Sequence, residues 1–390
     1  MAAEVISLGC RLNLSESEDL RALLASADDL VVINSCAVTA EAVRQTRQAI
    51  RRARRTRPTA RLLVTGCAAE VERAALGAMP EVDGLVANAA KLDPRAWNVA
   101  PAPRAPHAAH TRAFIAVQNG CDHACTFCVI PQGRGPSRSL PVAEVLGLVA
   151  HHLDHGAREV VLTGVDLTSW GHDLPGEPSL GSLVEAILSA FPELRRLRLS
   201  SLDGVEIDPF LRELLGGEAR VMPHLHLSLQ HGNDLILKRM KRRHLRRDAI
   251  ELVGWLKARR PELAIGADLI AGFPTEDAAA HGDNLSIIAE LGIVHGHVFP
   301  YSPRPGTPAA RMPQITAQDI RLRAAELRAA VAAVRQDWLA GQIGQPIEVL
   351  AERDGTGHAP NFARVQLPPG NQAGTIVTVT PTRIIEGMLA

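Results

Sequence analysis

The chain has 390 residues, more than one small hydrophobic core usually serves, so its length favours two or three domains. Hydrophobic residues make up 46% and charged residues 22%, which excludes disordered, collagen-like and disulfide-scaffold proteins. Basic and acidic residues balance at 42 each, so binding to nucleic acid would need local basic patches. The N-terminal sequence lacks a signal-peptide core, and no run of about 18 apolar residues occurs, so we expect a cytoplasmic protein without membrane contact.

The N-terminal region repeats a short apolar run that ends in a small residue and a cysteine. VISLGC ends at Cys10, VVINSC at Cys36 and LLVTGC at Cys67, and a polar helical stretch follows each. This pattern predicts a small parallel α/β sheet. Because the carboxyl ends of parallel strands share one edge, we expect the three cysteines to converge there. Burial as small hydrophobic residues is the alternative explanation.

A segment rich in proline and alanine follows, between Asp93 and His110. Its composition is typical of an extended linker and not of a helix. We therefore predict an N-terminal domain of residues 1–92 and a linker of residues 93–111.

Residues 112–340 alternate six strand-like runs with helical stretches. The runs are AFIAV, REVVL, LRRLRLS, HLHLSL, LAIGADLI and IVHGHVF. This order predicts a parallel barrel, or an open part of one, with its active face where the strands end. A helical pattern over residues 316–339 ends before Gly341 and Gly344. Residues 341–390 contain IEVLAE, FARVQL and TIVTVTP, which predict a small all-β module packed on the rest.

The loop after the first barrel strand reads GCDHACTFCVIP and contains Cys121, Cys125 and Cys128. Three thiolates at this spacing can hold three irons of a four-iron cluster and leave the fourth open to another ligand. A zinc site with His123 as fourth ligand, or unrelated buried thiols, are the alternatives. The position at the carboxyl end of a barrel strand favours catalysis.

This loop, with Phe127 before its last cysteine, resembles the signature of radical S-adenosylmethionine enzymes. The resemblance implies that the open iron chelates the methionine portion of S-adenosylmethionine, whose reductive cleavage gives a 5′-deoxyadenosyl radical. The contexts LGCRLN, NSC and TGCAAE are similar to those of the methylthiotransferases, in which three cysteines hold a second four-iron cluster. The implied cofactors are S-adenosylmethionine and two 4Fe–4S clusters. The implied metal ligands are Cys10, Cys36, Cys67, Cys121, Cys125 and Cys128.

Other blocks extend the resemblance over nearly the whole chain. They are IPQGRGPSRS, LSLQHG, GADLIAGFPTED and FPYSPRPGTPA, and residues 341–390 resemble the β module called TRAM. The implied fold is α/β, with a partial TIM-like (β/α)6 radical SAM barrel between the N-terminal parallel α/β domain and a TRAM-like module.

Two further blocks, at residues 162–171 and 200–207, are most similar to the branch that modifies threonylcarbamoyladenosine in tRNA. The implied function is addition of a methylthio group to carbon 2 of N6-threonylcarbamoyladenosine at tRNA position 37. The implied partners are tRNA and a low-potential electron donor such as flavodoxin or ferredoxin, and the sulfur donor stays open. The alternatives are methylthiotransferases that act on isopentenyladenosine tRNA or on a ribosomal-protein aspartate, and a non-catalytic iron–sulfur RNA-binding protein.

Several residues at predicted strand ends or behind the cluster loop are candidates for cofactor binding. They are Gly164, Ser200, Ser201, Gln230, Asp268, Arg134 and Arg138. Gly164 would let backbone carbonyls approach the methionine amino group. The serines and the glutamine offer hydrogen bonds to ribose or carboxylate, and the arginines offer forks for carboxylate or phosphate. An ordinary turn at Gly164, a satisfied buried acid at Asp268 and ordinary surface arginines are the alternatives.

Two basic stretches suit an RNA backbone, although each is equally typical of a solvated helix face. The first contains Arg44, Arg47, Arg51, Arg52, Arg54, Arg55 and Arg57. The second contains Lys238, Arg239, Lys241, Arg242, Arg243, Arg246 and Arg247. Phe362 is the one aromatic residue of the C-terminal module, which is therefore not predicted to be a platform for stacking several bases.

Overall fold

The computed structural model describes residues 3–100 and 111–390. In chain order these residues form a parallel sheet, an open barrel of parallel strands and a mostly antiparallel sheet. This arrangement confirms the predicted fold class. Within the described ranges, no helix combines the length and apolar character that a membrane span requires.

The N-terminal sheet has four parallel strands in sequential order. Its elements are β1 (Glu4–Ser7), α1 (Arg11–Leu23), β2 (Leu30–Ser35), α2 (Ala40–Thr56), β3 (Arg61–Gly66), α3 (Cys67–Val71), α4 (Arg73–Gly77), β4 (Gly84–Leu85) and α5 (Pro94–Trp97). Every residue of β2 is buried, as expected for a central strand covered by helices on both faces. The three predicted strand ends are those of β1, β2 and β3.

The segment predicted as an extended linker begins instead with the one-turn helix α5. Asp93 caps this turn by accepting a hydrogen bond from the backbone N–H of Arg95, and Pro94 occupies its first position, which needs no N–H. Trp97 is buried and donates its indole N–H to the carbonyl of Lys91 at 2.7 Å. The remainder of the prediction, residues 101–110, lies outside the described residues.

All six predicted barrel strands are present and pair in parallel. The elements of this part are β5 (Arg112–Ala116), β6 (Gln118–Asn119), α6 (Ile130–Arg134), β7 (Arg138–Ser139), α7 (Val142–Asp154), β8 (Glu159–Thr163), α8 (Leu180–Ala190), β9 (Leu197–Leu199), β10 (Ser201–Leu202), α9 (Pro209–Gly217), β11 (His224–Gln230), α10 (Asp234–Arg239), α11 (Arg246–Arg259), β12 (Ala264–Ala271), α12 (Ala278–Leu291), β13 (Ile293–Pro300) and α13 (Ala317–Ala340). The strands β9 and β10 are two halves of one strand interrupted at Ser200. The first half pairs with β8 and the second with β11, so this strand links a three-stranded and a four-stranded parallel sheet.

The barrel is open because β5 and β13 are not paired with each other in the described part of the chain. One apolar core fills the space between the strands and the helices that cover them. The helix predicted over residues 316–339 is α13, and Thr316 caps it by accepting a hydrogen bond from the N–H of Asp319. The carboxyl ends of the six strands therefore point to one rim, where the cysteine loop follows β5 and β6.

The C-terminal sheet contains six short strands in the order β17-β14-β15-β16-β19-β18. They are β14 (Ile347–Ala351), β15 (Thr356–His358), β16 (Arg364–Gln366), β17 (Ile376–Val379), β18 (Ile384–Ile385) and β19 (Met388–Leu389). The module docks at the amino ends of the barrel strands, where Arg196 and Arg198 donate hydrogen bonds to its carbonyls at His358 and Pro360. The ring of Phe362 lies 4.9 Å from the Arg198 guanidinium and is used in this packing.

Candidate active site

The three cysteines of the barrel loop lie together at the rim. The backbone N–H of His123 donates to Cys121 Sγ at 3.4 Å, and that of Ile130 donates to Cys128 Sγ at 3.4 Å. The Arg242 guanidinium donates to Cys125 Sγ at 3.7 Å. Each sulfur therefore has one N–H donor, the arrangement that stabilises thiolates bound to metal.

The chemistry of these thiols fits a metal centre. Burial, with a smaller contribution from the neighbouring thiols, raises the pKa of Cys121 to about 12 and that of Cys128 to about 11. At neutral pH such thiols stay protonated unless a cation replaces their protons. The loop is thus suited to bind a metal cluster and poorly suited to supply a free nucleophilic thiolate.

The other three cysteines converge at the carboxyl edge of the N-terminal sheet, as the spacing predicts. Cys10 caps α1, Cys36 follows β2, and Cys67 opens α3. Gly9 has a φ of 94°, and a Cβ placed on it would lie 2.6 Å from Cys36 Cβ, so only glycine fits there. The Cys36 thiol lies within electrostatic range of the thiols of Cys10 and Cys67, and burial raises its pKa to about 11.

The two cysteine triads face each other. Cys67 lies within electrostatic range of Cys128, and a Cβ on Gly133 in α6 would lie 3.2 Å from Cys67 Cβ. The helices α3 and α6 therefore pack closely enough to bring the edge of the N-terminal sheet onto the rim of the barrel. A group held by one triad would lie beside a group held by the other.

A buried ion-pair network lies behind the N-terminal triad. Glu16 in α1 contacts the Lys91 ammonium at 2.5 Å and the Arg134 guanidinium at 2.9 Å. Arg134 also donates to Asn13 Oδ1 at 2.5 Å and to Asn119 Oδ1 at 2.8 Å. Both terminal nitrogens of Arg134 are hydrogen-bonded within the protein, so Arg134 joins the N-terminal sheet to the barrel. Its guanidinium is therefore not free to bind a carboxylate or phosphate, contrary to what the sequence suggests.

Glu16→Gln is expected to lower the free energy of unfolding by about 3–5 kcal/mol, because it leaves two buried cations without their anion. Burial alone would raise the pKa of Glu16, but Lys91 and Arg134 outweigh it and lower the pKa. The ionised carboxylate therefore stabilises the fold above its unfolded pKa of about 4.3, and this stability is lost as pH falls through the lower folded value.

Urea denaturation followed by circular dichroism, at pH 7 and at pH values below 4, measures both effects. The control is Glu41→Gln, which removes an exposed ion pair with Arg44 and is expected to change nothing measurable. If Glu16→Gln has the same free energy of unfolding as the parent protein, the ion-pair network does not stabilise the fold and this prediction is wrong.

His123 lies in a charged network that the sequence did not reveal. Its Nε2 is 2.7 Å from Asp166 Oδ2 and 3.5 Å from Glu206 Oε2, and Arg243 pairs with the same glutamate. Hydrogen bonds to Asp166 and Glu206 raise the pKa of His123 to about 10. The nearest ligand atoms of Cys121, His123 and Asp166 lie within 4.8 Å of one another, so geometry alone leaves the alternative of a metal site that includes His123 open.

The predicted strand-end candidates occupy different environments. The Ser200 hydroxyl is buried without a hydrogen-bond partner in the described residues, and Ser201 opens β10 beside it. Gln230 ends β11 with a φ of 69°, a strained conformation that is typical of functional sites. Arg138 is exposed in β7, where it donates to the carbonyl of Arg134 at 3.4 Å.

Gly164 packs against a residue that sequence reasoning missed. A Cβ at Gly164 would lie 2.9 Å from Gln118 Oε1, and the same oxygen accepts hydrogen bonds from the N–H groups of Val165 and Asp166, both at 2.9 Å. Close packing against Gln118 is thus enough to require glycine at position 164. This agrees with the alternative interpretation of Gly164, an ordinary strand-end turn. The sequence signal for Gln118 was a polar residue directly after an apolar strand and just before the cluster loop.

Asp268 is not an isolated acid. Its Oδ1 lies 3.0 Å from His226 Nε2 and 3.1 Å from His297 Nδ1, two histidines on the adjacent strands β11 and β13. Alternating histidines in HLHLSL and IVHGHVF are the sequence signal for this cluster, because alternate residues of a strand face the same side.

The second basic stretch is largely engaged within the protein. Arg242 pairs with Asp203 at 2.7 Å, Arg243 and Arg246 pair with glutamates, and Arg239 donates to Thr275 Oγ1 at 2.7 Å. In the first stretch Arg54 pairs with Asp83, whereas Arg52 and Arg55 are exposed on α2. The structure therefore leaves less of this charge available for RNA than the sequence suggests.

Two family models match the chain. The radical SAM superfamily matches residues 115–282, and uncharacterized protein family UPF0004 matches residues 2–87. The threonylcarbamoyladenosine tRNA methylthiotransferase MtaB of Rickettsia prowazekii is 42% identical, over 99% of this chain and 96% of its own. The chain belongs to the radical SAM methylthiotransferase family. Membership makes it an enzyme that transfers methylthio groups, and implies a 4Fe–4S cluster and S-adenosylmethionine as cofactors.

Two further relatives are named for different modified adenosines. MtaB of Aquifex aeolicus is 31% identical over 96% of this chain and 98% of its own. The tRNA-2-methylthio-N(6)-dimethylallyladenosine synthase of Erythrobacter litoralis is 32% identical over 90% of this chain and 86% of its own. Among solved structures, the radical S-adenosylmethionine methyltransferase TsrM of Kitasatospora setae has a TM-score of 0.58 at 15% identity, covering 79% of this chain and 74% of its own. That likeness concerns the fold alone.

Proposed function

We propose that this methylthiotransferase adds a methylthio group to carbon 2 of N6-threonylcarbamoyladenosine at position 37 of tRNA. The observation that carries the proposal is the 42% identity, over nearly the full length of both chains, to a relative named for that substrate. The relative named for dimethylallyladenosine is 32% identical over less of the chain. In this proposal residues 1–92, 112–340 and 341–390 are three domains, joined after the first by a linker of residues 93–111.

We assign Cys121, Cys125 and Cys128 as ligands of the cluster that cleaves S-adenosylmethionine. Their convergence and their N–H donors to sulfur support this assignment. When bound, the reduced cluster would supply one electron to S-adenosylmethionine, whose cleavage gives a radical able to remove hydrogen from an unactivated ring carbon; acid–base groups cannot deprotonate such a carbon at neutral pH. The protein's own part is to hold the loop, with Asp166 fixing His123 beside Cys121 at the mouth of the barrel.

We assign Cys10, Cys36 and Cys67 as ligands of a second 4Fe–4S cluster that carries the transferred sulfur. Lys91 and Arg134 lie near Cys67 and favour anionic ligands there, and Glu16 offsets only one of these two cations. The facing triads support the assignment of cofactor cleavage to one cluster and sulfur delivery to the other. A sulfur held at the sheet edge would lie next to a substrate bound at the barrel rim.

For S-adenosylmethionine we retain Ser200, Ser201, Gln230 and Gly164 as contacts at the rim, where their strands end. Arg138 remains available to an anionic group because it is exposed. The proposed partners are tRNA and a low-potential electron donor such as flavodoxin or ferredoxin. Four residues of the basic stretches are exposed and have no ion pair in the described part of the chain, so they are the candidates to meet phosphate: Arg52, Arg55, Lys238 and Lys241.

Nucleoside analysis of tRNA by mass spectrometry tests the substrate. We expect a strain that lacks this gene to lose 2-methylthio-N6-threonylcarbamoyladenosine and to accumulate N6-threonylcarbamoyladenosine. The intact gene is expected to restore the product, and a gene encoding Cys125→Ala is expected not to. Loss of the methylthio derivative of isopentenyladenosine instead would show that the substrate assignment is wrong.

A further inference from the structure

A group of polar side chains inside the barrel includes none of the six cysteines. His226 on β11, Asp268 on β12 and His297 on β13 come from three adjacent parallel strands, and Asp268 is the register partner of His297. Their nearest nitrogen and oxygen atoms lie within 4.8 Å of one another. The strand pairing alone therefore assembles a histidine–aspartate–histidine cluster.

The hydrogen bonds of this cluster fix the protons on both imidazoles. Burial would raise the pKa of Asp268, but hydrogen bonds from His226 and His297 outweigh it and lower the pKa. An ionised carboxylate can only accept, so His226 donates from Nε2 and His297 from Nδ1. The second nitrogen of each ring is left for another partner.

Only His297 can use that second nitrogen for a ligand. A Cβ on Gly266 of β12 would lie 2.3 Å from His226 Nδ1, so this nitrogen is packed against the backbone. The side chain of His297, in contrast, is 61% exposed, and its Nε2 has no hydrogen bond within the described residues. The ring centroids of the two histidines are 4.7 Å apart, so the His226 ring packs against the His297 ring.

The surroundings of His297 suit a modified base. Phe299, two residues further along β13, is 36% exposed, and its ring centroid is 6.4 Å from that of His297. Exposed aromatic rings can stack on bases, whatever the base. The Arg328 guanidinium lies at the same strand, where it donates to the carbonyl of Val298 at 3.1 Å. An imidazole and an aromatic ring thus lie on one strand at the open side of the barrel, and a guanidinium from α13 reaches the carbonyl between them.

We propose that His297, positioned by Asp268 and His226, binds the carboxylate of the substituent on N6 of the substrate adenosine and thereby determines substrate specificity. This inference rests on the proposed function. The threonylcarbamoyl group ends in a carboxylate and a hydroxyl, whereas dimethylallyl is a hydrocarbon. With Nδ1 held by Asp268, Nε2 is the nitrogen of His297 that is left to meet the substituent, and a doubly protonated ring donates from both nitrogens, to Asp268 and to the bound carboxylate. A hydrocarbon substituent would leave that donor without a partner, which is unfavourable.

Binding of three RNAs to the reconstituted enzyme, measured by fluorescence anisotropy, tests this site. The probes are one anticodon stem–loop with N6-threonylcarbamoyladenosine, with its methyl ester, and with unmodified adenosine at position 37. We expect the parent enzyme to bind the acid roughly 10- to 100-fold more tightly than the ester, because only the acid accepts a charge-assisted hydrogen bond. His297→Phe is expected to reduce this ratio to about one.

Two further variants separate recognition from folding. Asp268→Asn, a change at the positioning residue, is expected to reduce the acid-to-ester ratio partly, and His297→Gln, which keeps a donor, is expected to retain part of it. His155→Phe, at an exposed histidine after α7, is the matched control and is expected to keep the full ratio. The ratio compares two RNAs on one protein, so a general loss of stability does not change it.

A His297→Phe protein that keeps the preference for the acid overturns the proposal. So does a stoichiometric divalent metal other than iron that the parent protein binds and His297→Phe loses, because two histidines and a carboxylate also suit a metal. A parent enzyme that methylthiolates the acid without preferring it to the ester overturns this inference alone. A parent enzyme that prefers the acid but never methylthiolates it overturns the proposed function and leaves the site intact.

Discussion

Replacing Cys125 with alanine is expected to abolish the formation of 5′-deoxyadenosine from S-adenosylmethionine and dithionite. The loop offers three thiols, and a cluster held by only two protein ligands loses the geometry that keeps one iron open for the cofactor. Iron content is expected to fall by about four per chain, because one cluster of four irons is lost. Liquid chromatography of the reaction and a colorimetric iron assay measure the two results.

A conservative change at a neighbouring position provides the control for Cys125→Ala. Thr126 donates its hydroxyl to the carbonyl of Arg239 at 2.8 Å, and Thr126→Ser keeps that hydrogen bond, so cleavage and iron content are expected to stay at the parent level. Formation of 5′-deoxyadenosine by Cys125→Ala at the parent rate would show that the loop is not the site of cofactor cleavage. Retention of all iron in the variant would contradict the ligand assignment directly.

The fold was predictable because it depends on short-range patterns. Strands that end in Cys10, Cys36 and Cys67 are separated by helix-sized gaps, and parallel strands connected in this way must share an edge. The same reasoning placed all six barrel strands and α13. The one-turn helix α5 was missed because its proline favours the first position of a helix as well as an extended linker.

The polar network of the site was less predictable because its partners are far apart in sequence. Glu16 and Arg134 are separated by 118 residues, and nothing local to Arg134 shows that its guanidinium is already engaged. The availability of the second basic stretch to RNA was overestimated for the same reason. Arg242 and Arg246 pair with Asp203 and Glu290, which lie on other elements. Charge patterns in a sequence show which groups are ionised, but tertiary structure decides which of them remain available to RNA.

Phe362 illustrates how docking changes the role of a residue. It is the one aromatic residue of the C-terminal module, which the sequence therefore does not predict to be a platform for stacking several bases. The structure places its ring 4.6 Å from that of His358 and 4.9 Å from that of His224, at the amino ends of the barrel strands, so it is used in packing. RNA contacts of this module would therefore depend on its polar surface.

Replacing Cys67 with alanine is expected to separate the two reactions, because Cys67 belongs to the triad on the N-terminal sheet. Cleavage of S-adenosylmethionine should continue, since Cys121, Cys125 and Cys128 are unchanged, but no methylthio product should form on the RNA. Iron content is expected to fall by about four per chain and to leave about four. Anaerobic assays of 5′-deoxyadenosine, RNA nucleosides and iron on the same preparation measure all three quantities.

Comparing Cys67→Ala with Cys125→Ala shows whether the two triads hold two clusters or one. If each triad holds its own cluster, Cys67→Ala and Cys125→Ala lose the same amount of iron but differ in cleavage. Thr65→Ser, a conservative change at a buried residue near the end of β3, controls for local packing and is expected to behave like the parent protein. Because Cys67 lies within electrostatic range of Cys128, a single cluster shared across the interface would make both variants lose all iron and all cleavage together. That result would refute the assignment of two separate clusters, whereas residual cleavage in Cys67→Ala alone would support it.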